Sequence, residues 1–176
     1  MRLFIAVNFS DEIKSRILEV QELLRSRSTR GNFTRPENLH LTLAFLGETP
    51  EEKLKTLCGI IDANKSPPFD ILFNRTGCFT HSRKELWWIG AEGGDPELSS
   101  LKAIHDWLLE RLPETGFPVD QRSFNAHVTL AREVKHHKPI VLDCPEIKIN
   151  VNRVSLMRSW QAGGVLTYTE LFGRDL

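Results

Sequence analysis

At 176 residues the chain is long enough to bury a core, either as one domain or as two small joined lobes. Its 23 basic and 23 acidic residues balance. That excludes a broad basic surface gripping long nucleic acid by its phosphates, and leaves room for a nucleotide or a strand end held in a local pocket. Three widely spaced cysteines, Cys58, Cys78 and Cys144, suggest neither a disulfide framework nor a zinc knuckle. No apolar run reaches the roughly 18 residues of a membrane span, and the N-terminal R-L-F-I-A-V-N-F is too short for a secretion signal. The expectation is a cytoplasmic monomer.

Arg2–Phe9 has the apolar density of a core strand. Ser10-Asp11-Glu12 caps a helix whose apolar positions (Ile13, Ile17, Val20, Leu23, Leu24) recur to about Arg25. Residues 26–37 are polar, contain Gly31 and Pro36, and read as a loop. A strand follows at 38–47, then a capping box with proline, Thr49-Pro50-Glu51-Glu52, opens a second helix marked by Leu54, Leu57, Cys58 and Ile61. Strand segments are expected at 69–73, 78–80 and 85–91, with a break at 74–77. Gly93-Gly94 makes a turn, and Asp95-Pro96 starts a third helix carrying Leu98, Leu101, Ile104, Leu108 and Leu112. Pro113–Pro118 is a loop. Further strands are expected at 123–132, 139–150, 152–160 and 165–172, the last two joined through Gly163-Gly164. Helices alternating with hairpins predict an α+β protein with largely antiparallel sheets, helices outside, and two pseudo-symmetric lobes facing a central cleft. Residues 1–176 read as one two-lobed domain.

Two strands echo each other. In N-L-H-L-T-L-A-F-L-G, residues 38–47, Leu39, Leu41, Leu43 and Phe45 share one parity and His40 and Thr42 the other. In N-A-H-V-T-L-A-R, residues 125–132, Ala126, Val128 and Leu130 oppose His127 and Thr129. Alternation therefore buries one set and presents a His–Thr pair from each strand. Imidazole has a reference pKa of about 6.5, so two of them across one cleft can divide acid and base duties. Hydrolysis of a phosphate ester needs that division, because water loses a proton as the leaving alkoxide gains one. The threonine hydroxyls are placed to donate to phosphoryl oxygens. The bland alternative is an ordinary half-buried polar pair in each strand; duplication at matched parity strengthens the chemical reading, and the residues alone leave both open.

Together with R-L-F-I-A-V at the start, R-S-F-N-A-H-V-T-L-A-R, and the closing V-S-L-M-R-S followed by a tyrosine-bearing strand, these motifs resemble the two-histidine phosphoesterases. More narrowly they resemble the RNA 2′,3′-cyclic phosphodiesterase branch, historically called 2′-5′ RNA ligase. The resemblance implies a metal-independent, cofactor-free hydrolase acting on RNA ends or small cyclic nucleotides and leaving a 2′-phosphomonoester. It implies that His40 protonates the leaving 3′ oxygen, that His127 activates water, and that Thr42, Thr129 and Arg132 bind the phosphate. In an unbroken strand Arg132, five positions after His127, points to the wrong face, so a bulge or a strand end near Ala131 is required. Competing readings are joining or cleavage of 2′-5′ linkages, turnover of another cyclic nucleotide, and a nucleotide-binding module with vestigial activity.

Other candidates read as structural. His136-His137 is expected in a solvated loop with no metal, His105 on the packed side of the third helix, and His81 in an exposed turn. Of Trp87 and Trp88, one is expected in the core and the other free to stack a base, an ambiguity shared by Phe124.

Overall fold

The computed structural model describes residues 1–91, 98–117 and 124–176. The Gly93-Gly94 turn, the Asp95-Pro96 helix start and the beginning of the second His strand lie outside these. Strand β1 (Arg2–Asn8) is sandwiched between neighbours and buried on both faces, as its unbroken apolar run requires. Helix α1 (Asp11–Ser26) starts where the Ser10 hydroxyl accepts the Ile13 N–H, with Asp11 and Glu12 in the first turn. It packs Ile17, Val20 and Leu24 inward.

The expected loop at 26–37 contains a strand instead, β2 (Arg30–Phe33), followed by a 3₁₀ turn at Pro36–Asn38. Four residues with a central glycine carry no strand signal of their own. They are ordered by pairing with the edge of β7 (His127–Lys135). Strand β3 (His40–Glu48) follows, and then helix α2 (Leu54–Ala63), reached through a 3₁₀ turn at Glu51–Lys53 rather than a capping box. Thr49 is engaged elsewhere, its hydroxyl on the Gly47 carbonyl and its N–H on that of Met1.

Strand β4 (Phe69–Phe73) precedes β5 (Arg75–His81), which runs through the predicted break because Arg75, Thr76 and Gly77 pair with β6 (Lys84–Gly90). Helix α3 (Ser99–Arg111) comes next. Strand β7 starts at His127 and continues to Lys135, beyond the expected end. Strand β8 is only Ile147–Val151, since Pro139 and Pro145 remove ladder donors from the stretch before it. Strands β9 (Arg153–Ala162) and β10 (Val165–Asp175) form the closing hairpin.

Two four-stranded sheets, ordered β10-β9-β1-β3 and β2-β7-β6-β5, and a β4-β8 ribbon are antiparallel at every pairing. One core cluster joins both larger sheets, the ribbon and the buried faces of the three helices. Among the described residues no helix is long and apolar enough to cross a membrane.

Candidate active site

The two His strands bulge at matching places. Along β1–β3, Ile5 faces Ala44 and Ala6 faces Thr42, so Leu43 is an extra residue. Along β6–β7, Trp87 faces Ala131 and Trp88 faces Thr129, so Leu130 is extra. Leu43 and Leu130 stand at the same offset of 87 residues as His40 and His127. An added residue reverses the alternation beyond it. Leu130 and Ala131 are therefore both buried, and Arg132 returns to the face of His127 and Thr129. The bulge required for Arg132 is present.

The same device overturns the expected burial of Phe45. Past Leu43 it swings out beside His40 and Thr42, is 49% exposed, and sits under the Arg2 guanidinium at 5.0 Å. Its position matches that of Arg132 in the other strand, which is the signal that sequence reading had available and missed.

His40, Thr42, His127, Thr129 and Arg132 all line one cavity of about 530 Å³. Sequence reasoning also missed Asn38, Arg2 and Tyr168 on its walls, which Arg35, from the locally basic stretch 14–35, joins. The reason is physical: their strands or turns reach the cavity only through tertiary pairing. The described lining holds three guanidiniums (Arg2, Arg35, Arg132) and no carboxylate, so it suits an anion. Arg35 pairs with Glu37, whereas Arg132 has no carboxylate partner among the described residues.

Each imidazole is fixed the same way. The His40 Nδ1–H donates to the Asn38 carbonyl at 2.7 Å and the His127 Nδ1–H to the Asn125 carbonyl at 2.8 Å. That assigns the tautomer and leaves each Nε2 with its lone pair toward the cavity. The Thr42 hydroxyl donates to Nε2 of His40 at 3.0 Å. Burial pushes both imidazoles below the ordinary histidine value, and the nearby Arg132 charge lowers both further. The charge of His127 also weighs against protonating His40, as expected of rings that share one cavity.

Aromatic rings brace both histidines. Tyr168 meets His40 edge-on at 5.1 Å with Phe4 at 4.8 Å, while Phe79 meets His127 edge-on at 5.3 Å with Trp88 at 6.3 Å. Trp88 is thus a wall for an imidazole rather than a base platform, and both Trp87 and Trp88 are buried. Gly90 opposite His127 must be glycine, because a Cβ there falls 2.2 Å from the Ala126 carbonyl oxygen.

The remaining histidines are elsewhere. His105 is buried and stacked on Phe124 at 4.3 Å, which removes Phe124 as a base platform. His81 is exposed at the end of β5. His136 is not simply solvated: it faces the Glu85 carboxylate at 3.1 Å. Among the described residues no group of three or more His, Cys, Asp or Glu could hold a metal ion.

Residues 7–88 match the family described as LigT-like phosphoesterase. The chain is similar to an Archaeoglobus fulgidus protein named RNA 2′,3′-cyclic phosphodiesterase, 35% identical over 81% of this chain and 78% of the relative. It is similar also to the Escherichia coli protein of that name, 29% identical over 97% of this chain and 93% of the relative. In structure it resembles E. coli LigT complexed with 3′-AMP, with a TM-score of 0.85 at 28% identity, covering 99% of this chain and 97% of the other.

Proposed function

The chain belongs to the LigT-like phosphoesterase family, and on that premise we propose that it hydrolyses 2′,3′-cyclic phosphate ends of RNA to 2′-phosphomonoesters without a metal ion. Residues 1–176 act in this reading as one two-lobed domain. The observation that carries it is the pair of imidazoles, tautomers fixed alike, on one anion-suited cavity.

The neutral Nε2 of His127 takes a proton from water as its oxygen bonds to phosphorus. The P–O3′ bond breaks, and the 3′ oxygen receives a proton from Nε2–H of His40. Before that step His40 must be charged. Burial lowers its pKa and so disfavours the charged form in the free protein, whereas the substrate's phosphate anion beside it favours that form. Once protonated, Nε2 no longer accepts from the Thr42 hydroxyl, which swings to the phosphate and leaves Nε2–H free for the leaving oxygen. Arg132 and the Thr129 hydroxyl hold phosphoryl oxygens as charge builds on them. Phe45, half exposed, offers ring surface to a nucleobase.

The test is to incubate EDTA-treated protein with an oligonucleotide ending in a 2′,3′-cyclic phosphate and compare the product with authentic 2′- and 3′-phosphate standards. Turnover to the 2′-phosphate that persists in EDTA is expected. No turnover, or a 3′-phosphate product, overturns the reading.

A further inference from the structure

Helix α1 buries one polar side chain in an otherwise apolar stripe. Gln21 is 4% exposed beside Ile17, Val20 and Leu24. A buried amide needs partners, and it finds two. Its Nε2 donates to the Thr34 carbonyl at 2.8 Å and to the Leu130 carbonyl at 2.8 Å. Two carbonyl acceptors require the amide nitrogen at that position.

Both acceptors belong to the active site's frame. Leu130 is the extra residue of the β7 bulge, and its carbonyl also takes the Thr34 N–H at 2.9 Å. Thr34 lines the cavity where the chain leaves β2 for Arg35. One side chain on an outer helix therefore clamps the residue that reverses β7's alternation and the segment beside it.

We propose that Gln21 is a positioning residue for Arg132: it holds the Leu130 bulge in the form that turns the guanidinium onto the phosphate side. Without those two N–H groups, the Thr34 and Leu130 carbonyls each lose a buried donor. Losing the bulge is the strand's available response, and unbroken alternation from His127 moves Arg132 off the cavity face. This inference rests on Arg132 binding phosphate in the reaction proposed above.

The experiment is a double-mutant cycle of Gln21→Met with Arg132→Ala, read as kcat and KM on the cyclic-phosphate oligonucleotide. Methionine keeps length and burial while removing both donors. Alone it is expected to lower kcat/KM by about 10-fold, chiefly through kcat, and in the Arg132→Ala background by less than about 2-fold. Equal losses in both backgrounds, or a folded Gln21→Met protein with unchanged kcat/KM, overturn the proposal. If Gln21→Met does not fold, Gln21→Asn carries the same cycle, its amide one methylene short of the carbonyls. Wild-type turnover is the control: its absence defeats the hydrolase reading itself, whereas additive losses with wild-type turnover intact defeat only the role of Gln21.

Discussion

The His40 face and the His127 face use one backbone device and fill it differently. Both have the His-x-Thr pair, a leucine bulge three residues after the histidine, and an Nδ1–H held by the carbonyl two residues before it. Beyond the bulge one strand presents Phe45 and the other Arg132. One histidine is braced by a tyrosine and the other by a phenylalanine. One Nε2 is engaged by its own threonine, while no described residue bonds to the other. The lesson is that near-symmetry of backbone sets where the two rings stand, while the flanking side chains differ: an apolar surface suited to a base on one side, a cation suited to phosphate on the other. The proposed division of acid and base roles draws on that asymmetry.

The sharpest way to break this comparison is to delete each ring. His40→Ala and His127→Ala are each expected to lower kcat by at least about 10³-fold, and the double variant by little more than either alone, because acid and base act in one step. Clearly additive losses, measured by single-turnover rates, contradict a concerted pair.

Arg132→Ala is expected to cost about 10²-fold in kcat/KM and also to move its pH profile. The sign follows from charge. A neighbouring cation disfavours a protonated imidazole, so Arg132 helps hold both histidines below about 6.5, and its loss raises both. The wild-type profile of kcat/KM therefore has its optimum on the acid side of 6.5, and both limbs move to higher pH in the variant. An unmoved profile means that Arg132 does not face the rings.

The smallest effect is assigned to the other side of the comparison. Phe45→Ala is expected to raise KM by about 5- to 10-fold with kcat nearly unchanged, since stacking on a base holds substrate and transition state alike. A loss confined to kcat refutes the base-platform role.

How much of this was legible in the sequence depends on where the information is local. Strand β1, the Ser10 cap and helix α1, and the parity of both His-x-Thr pairs follow from periodicity and capping chemistry alone. Strand β2 was not legible, because Arg30–Phe33 is ordered by the edge of β7 and carries no alternation of its own. Nor was the burial of both Trp87 and Trp88 legible. The first joins the main core, and the second fills the space above Gly77, where a Cβ would lie 2.2 Å from its ring. Phe45 was an intermediate case. Alternation assigns it to the core, and only the match between its position and that of Arg132 shows that one bulge moves both.

The most direct measurement is a titration of the His40 and His127 ring protons by NMR, assigned with the alanine variants, in the free protein and with 2′-AMP. Both rings are predicted to titrate below pH 6.5 when free and to shift upward together at a single ligand concentration, because one phosphate lies between them. A response from only one ring, or responses at separate concentrations, would contradict the shared site.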